Sequence, residues 1–165
     1  MEKEVLTLVA RDVAPSNAFG HLIKGLDAER WHVNSFLGKG GPIGSTVGGV
    51  MQAVAESDVV LIGMSANERL AGYELVAAGH AFEQGIPFGF FSDTWGAYTR
   101  PHFRGFGQDA SFFLLFSKGE GAEASQMFPN AVCVASGNPE DEDYFTPKIS
   151  YEEMRKMLGV EPDEK

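Results

Sequence analysis

Apolar residues in this chain come either in short continuous runs or at intervals of three and four, and the two patterns alternate. Val5 to Ala10 is a continuous run that ends in Arg11-Asp12. After Pro15 and a candidate cap at Ser16, the residues Phe19, Leu22, Ile23 and Leu26 recur at helical spacing. Trp31 to Leu37 reads as a second strand, followed by a glycine-rich stretch from Gly38 to Gly44. Val47, Val50, Met51 and Val54 mark one helix face, and Leu75, Gly79 and Phe82 mark another. Between them Val59 to Met64 is the most apolar run. Phe88 to Phe91, introduced by Pro87, then Phe112 to Phe116 and Val132 to Ala135 complete the strands, with a short helix between the last two.

Strands that are apolar on both faces and separated by amphipathic helices predict a parallel sheet covered on both sides. The expected fold class is α/β, a Rossmann-like three-layer αβα arrangement with a mostly parallel sheet of about six or seven strands. Right-handed crossovers put every strand C-terminus on one edge, where ligands bind in open α/β sheets. Near the end, Ser150 and Glu153 have capping-box spacing, and a short helix is expected to run to Leu158 and stop at Gly159. The polar stretch from Val160 to Lys165 has linker composition. The expected division is a domain over 1–147, then a short helix and the start of an interdomain linker over 148–165.

The chain has 165 residues, 44% of them hydrophobic, which suits one domain and excludes a disordered chain. No apolar run approaches the roughly 20 residues of a membrane span. The net charge of −10 argues against nucleic acid as a partner. A lone Cys133, in a segment that reads as a buried strand, rules out an internal disulfide. With no signal-peptide pattern at Met1, the expected location is cytoplasmic. None of the four histidines has the i, i+4 spacing of a metal pair, so neither a metal nor another cofactor is expected.

Candidate chemistry lies just after the strands. Asp93 directly follows a buried strand, in a connection of about twenty residues, long for a compact domain. The same connection offers Trp95 and Tyr98 as faces for a sugar or base, and Arg100 as a partner for carboxylate or phosphate. Ser65 faces the same edge and is a candidate cap for the helix that follows. Glu74, in the first turn of that helix, is either a base or nucleophile with a raised pKa or a helix-dipole partner. Arg11, Asn17 and Asn138 are further substrate-binding candidates at the same edge. Gly38-Lys39-Gly40-Gly41 departs from a phosphate loop, because Lys39 is not followed by Ser or Thr, so a flexible loop is expected. The first strand also lacks a G-x-G-x-x-G turn.

Four passages, in order, resemble the N-terminal half of GT-B-type glycosyltransferases and the related UDP-N-acetylglucosamine 2-epimerase group. They are Leu8-Val9-Ala10-Arg11-Asp12-Val13-Ala14-Pro15-Ser16-Asn17-Ala18, Asp58-Val59-Val60-Leu61-Ile62-Gly63-Met64-Ser65, Gly85-Ile86-Pro87 with Asp93-Thr94-Trp95-Gly96-Ala97-Tyr98, and Gly137-Asn138-Pro139 with Arg155-Lys156-Met157-Leu158-Gly159. The resemblance implies the acceptor side of a cleft, a nucleotide sugar as donor, and a second Rossmann-like domain as partner. It implies Asp93 or Glu74 as general base. The epimerase branch has an acid where Met64 stands here, so the resemblance favours transfer over epimerisation. Two other functions fit parts of the pattern. One is a nucleoside deoxyribosyltransferase-like enzyme with Glu74 as nucleophile, and the other is a non-catalytic sugar- or nucleotide-binding module. A homo-oligomer is compatible with all three.

Overall fold

The structure is a computed structural model, and it describes residues 3–139. The elements run β1 (Glu4–Ala10), α1 (Val13–Gly25), β2 (Trp31–Leu37), α2 (Val47–Ala55), β3 (Val59–Gly63), α3 (Gly72–Gln84) and β4 (Phe88–Phe91). Two 3-10 turns, Ala97–Thr99 and Pro101–Phe103, lead into α4 (Arg104–Gly107). Then come β5 (Phe112–Leu115), α5 (Lys118–Met127) and β6 (Val132–Ala135). The strands form one six-stranded sheet in the order β2-β1-β3-β4-β5-β6, and every pair is parallel. The Rossmann-like α/β expectation is met, with no antiparallel strand among the described residues.

The strand order divides the core unequally. Only the step from β1 to β2 goes one way; every later crossover goes the other. Among the described residues, right-handed connections then place α1 alone on one face and the other helices on the opposite face. The core clusters follow this division. Leu6, Leu8, Leu61 and Phe91 pack with Phe19 of α1. Val9, Val60, Ile62, Phe90 and Phe113 pack with residues of α2, α3, α5 and the segment around Phe103. Alanines do much of the helix packing here: Ala77, Ala78 and Ala81 turn α3 toward strands already filled by phenylalanines. A small side chain lets that helix come close over large ones.

Several local expectations are corrected. Helix α1 starts at Val13 and is capped by Asp12, whose carboxylate accepts from the Val13 N–H. Ser16 lies inside the helix, its hydroxyl donating to the Ala10 carbonyl. Ser65 does not cap α3, which has Ala71 at its N-cap without a side-chain bond. On α3 the buried face is Glu74 with the alanines, while Phe82 points out, 54% exposed. Cys133 sits in an edge strand, half-buried, rather than in a buried one. The boundary near residue 147 and the helix from Ser150 to Leu158 lie outside the described residues.

Gly89 of β4 is needed for close approach. A Cβ there would run into the ring and carbonyl of Phe112 on the neighbouring strand. Gly89→Ala is expected to lower stability by about 1–3 kcal/mol, as overpacking in a filled core does. A urea midpoint unchanged from the parent would show that the Phe112 ring moves aside freely.

Candidate functional site

β1 and β3 are neighbours in the sheet, but the chain leaves them toward opposite faces, which makes their C-terminal ends the switch point where open α/β sheets form a ligand crevice. Arg11 and Asp12 follow β1; Met64 and Ser65 follow β3. The Asp12 carboxylate accepts from the Val13 N–H at 2.8 Å and from the Ala66 N–H at 3.2 Å. Its own backbone N–H donates to Ser65 Oγ at 3.1 Å. The Ser65 hydroxyl in turn donates to Glu74 Oε1 at 2.9 Å, and the Arg11 N–H donates to the same oxygen at 3.2 Å. Glu74 therefore ties the end of β1 to the end of β3 from the first turn of α3.

Glu74 has no exposed surface, and its Oε2 has no hydrogen-bond partner. Burial pushes its pKa up to about 8, against the hydrogen bonds from Ser65 and Arg11 and helped by the charge of Asp12. The group is thus a neutral carboxylic acid at pH 7. Gly63 makes room for it: a Cβ there would lie 2.8 Å from Pro15 Cβ, 2.9 Å from Ala10 Cβ and 3.2 Å from Glu74 Oε1.

The connection after β4 brings a second group of side chains to the same edge. Asp93 is 7% exposed, with Oδ1 3.7 Å from Nη1 of Arg100. Burial raises the Asp93 carboxyl above its usual range, the Arg100 guanidinium opposes this, and the charge of Asp12 adds to the rise. Asp12 thus acts on both Glu74 and Asp93, and three carboxyl groups share one crevice. Arg100 Nη2 donates to Thr94 Oγ1 at 3.1 Å. His102 Nε2 lies 3.0 Å from the Ser65 carbonyl oxygen, which can only accept, so the proton is on Nε2.

The structure does not bring all the candidates together. Arg11, Ser65, Glu74, Asp93 and Arg100 line the crevice or brace it. Trp95 is 61% exposed and reaches over the start of α5, close to Gly119. Tyr98 is turned inward, its hydroxyl donating to Glu123 at 2.7 Å; burial and that carboxylate push its pKa up to about 12. Asn17 is partly buried in α1, and Asn138 follows β6, three strands from β3. Sequence reasoning passed over His102 and Glu120. Glu120 is buried and accepts from the N–H groups of Gly96 (2.6 Å) and Phe116 (2.9 Å), which clamps the aromatic connection onto α5. Its signal was Ser117-x-x-Glu120, a capping-box spacing. His102 had none, because its partner is a backbone carbonyl 37 residues away.

The glycine-rich stretch is anchored rather than free. The N–H groups of Lys39, Gly40 and Gly41 donate to Ser16 Oγ, the Arg11 carbonyl and the Gly38 carbonyl. Arg11 Nε donates to the Gly41 carbonyl, and the Tyr73 hydroxyl to the Ser45 carbonyl. These amides are therefore not a cradle for phosphate. Among the described residues, no three His, Cys, Asp or Glu side chains are arranged to hold a metal, and no helix is long and apolar enough to cross a membrane. A shallow cavity of about 260 Å³ beside Phe82, Pro87 and Asp109 opens where β4 begins, at the opposite edge of the sheet.

No protein-family model and no curated protein sequence matches the chain. Among solved structures, the chain is similar to a Listeria monocytogenes protein assigned as a UDP-N-acetylglucosamine 2-epimerase, with a TM-score of 0.60 and 16% identity. The match covers 96% of this chain and 52% of that one. This is the fold of about half of that protein. At such low identity the likeness carries the architecture alone, and it agrees with the half-length expectation drawn from the sequence motifs.

Glu74 makes stability pH-dependent in a definite direction. Its folded value, about 8, is raised above the ordinary 4.5, so the folded state holds a proton that the unfolded state has lost between those values. Its contribution is complete below the lower value and is lost as pH rises to the upper, by up to roughly 1.4 kcal/mol per pH unit. Urea midpoints of the parent should fall across this window, and those of Glu74→Gln should fall much less. Equal slopes in the two proteins would show that Glu74 is ionised in the folded state.

Proposed function

We propose that this chain is the acceptor-binding half of a two-domain GT-B-type glycosyltransferase that works with a nucleotide sugar. The observation that carries this reading is the edge where β1 and β3 diverge, with the carboxyl groups of Asp12 and Asp93 beside Ser65. Carboxylates accept hydrogen bonds from hydroxyls and repel phosphates. Such a crevice suits a hydroxyl-rich sugar acceptor and not a diphosphate. The N-terminus of α1, where a phosphate would ordinarily sit, is already satisfied by Asp12. The diphosphate then belongs to a second domain facing this edge. Half of the similar Listeria protein has no counterpart in this chain, which leaves room for that domain.

The side chains divide the labour as follows. Asp93 accepts the proton of the attacking hydroxyl; its raised pKa improves it as a base, and Arg100 steadies the ionised form. Trp95 offers an exposed ring for an apolar sugar face. Glu74, closed off from solvent, positions Ser65 and Arg11 and touches no substrate. That burial also weighs against the nucleoside deoxyribosyltransferase-like reading, which needs Glu74 as an accessible nucleophile.

A transferase must hold donor and acceptor together and exclude water, and that positioning supplies much of the rate. One sheet provides one ligand edge. The 165-residue chain, assayed with UDP-, GDP- and dTDP-sugars, is therefore expected to show neither transfer nor hydrolysis above background. Calorimetric titration with sugar acceptors should show weak binding that Trp95→Ala reduces about tenfold, or about 1.4 kcal/mol. Robust turnover abolished by Asp93→Asn would overturn the half-site argument. Turnover of a deoxynucleoside abolished by Glu74→Gln would establish the other enzyme class.

A further inference from the structure

Trp95 is exposed, yet a different element sets its place. The Gly96 N–H lies in the peptide plane that joins Gly96 to Trp95, and it donates to Glu120 Oε1 at 2.6 Å. The other oxygen of Glu120 accepts from the Phe116 N–H at 2.9 Å. One side chain thus ties the Trp95 peptide to the end of β5 and the start of α5. In a capping box the acid three residues after the N-cap returns to the N–H of that N-cap. Ser117 caps α5, but Glu120 reaches past it to Phe116 and across to Gly96. Glu120 has no exposed surface, and a buried carboxyl group needs such partners. The ring itself lies against the same helix. Gly119 is exposed, and a Cβ there would stand 3.1 Å from Trp95 Cη2 and 3.8 Å from Cζ3. Glu120 therefore holds the backbone at Trp95, and Gly119 leaves a seat for the ring.

We propose that Glu120 and Gly119 of α5 are positioning residues for ligand binding, which hold Trp95 as an aromatic platform already ordered before a ligand arrives. What the platform takes, the C–H face of a sugar, rests on the acceptor-binding reading above. A ring fixed in advance loses little freedom on binding, and for one side chain that difference is about 3–10-fold in affinity. Glu120 is closed off from solvent and acts only through the peptide that it holds. The Tyr98 hydroxyl, bonded to Glu123 one turn further along α5, fastens the same connection at a second point.

The test uses the full chain carrying Trp31→Phe, which leaves Trp95 as its sole tryptophan. Fluorescence anisotropy and acrylamide quenching then report the ring without any ligand. Titration with the methyl glycosides of glucose, galactose and N-acetylglucosamine reports binding. Gly119→Val adds two carbons beyond the Cβ position and pushes the ring from its seat. The site is exposed and valine suits a helix better than glycine, so the urea midpoint is expected at or above the parent's. Quenching should rise, anisotropy should fall, and affinity for the best-bound glycoside should drop about 3–10-fold. Glu120→Ala should do the same, and Glu120→Gln, which keeps one accepting oxygen, should lie between it and the parent. Unchanged quenching and anisotropy in folded Gly119→Val and Glu120→Gln would overturn the proposal. So would an unchanged affinity with the ring displaced, in a protein whose binding Trp95→Ala weakens. A ring released by these variants in a chain that binds none of the glycosides would instead overturn the acceptor reading and leave the positioning role of α5 standing.

Discussion

Folding this chain takes a carboxyl group entirely out of water at the point where β1 and β3 part. An ionised carboxylate there would carry a large desolvation cost, so Glu74 keeps its proton. What remains is a neutral hydrogen-bonding group that holds Ser65 and the Arg11 amide on one oxygen. The rest of the edge is arranged around that group. Ser65 receives the Asp12 amide, Asp12 caps α1 and holds the Ala66 amide, and Arg11 extends from the same turn to the glycine-rich stretch. His102 closes on the Ser65 carbonyl from the far side. Backbone N–H groups at the ends of two parallel strands are satisfied by three linked side chains, Glu74, Ser65 and Asp12.

The space for this arrangement comes from what the neighbours lack. Gly63 has no Cβ, and Pro15 and Ala10 close in where one would stand. Helix α3 carries Glu74 on the same face as Ala77, Ala78 and Ala81, so it lies low over strands filled by Phe88 and Phe90. Packing density and the buried acid therefore depend on each other: a larger residue on that face would lift the helix and take the carboxyl away from Ser65.

The crevice that results is acidic in a chain that is acidic throughout. On the proposed reading, its carboxylates favour hydroxyl donors over phosphates. The backbone amides that might have offset this are committed elsewhere, at the start of α1 and in the stretch after β2. On the reading proposed above, carboxylates at this edge and amides already occupied favour one half of a divided cleft. Among the described residues, the same division of the sheet leaves one face of β5 and β6 without a helix, since only the crossover from β1 to β2 runs over that face.

The sequence by itself determined the architecture. Period-two and period-3.6 patterns are local, and six apolar runs separated by helical ones leave few alternatives to a parallel sheet. It also located the C-terminal edge of the sheet, because strand ends are visible as the places where apolar runs stop; the placement of Ser65, Glu74 and Asp93 near that edge was legible for that reason. Only the tertiary structure decided what those residues do. Whether Glu74 is a solvated helix-dipole partner or a buried acid depends on Gly63 and Ser65 at the end of the preceding strand and on Pro15 of α1, none of them on its own helix. Tyr98 belongs to packing because Glu123 lies opposite it on α5, and Asp12 rather than Ser16 caps α1 because β1 ends two residues earlier. Cys133 read as buried because its neighbours are apolar; strand order, which no local pattern carries, put it at the edge. Pattern reports which residues avoid water, while charge state and partnership are set by which segments meet, and that is settled only when the chain closes on itself.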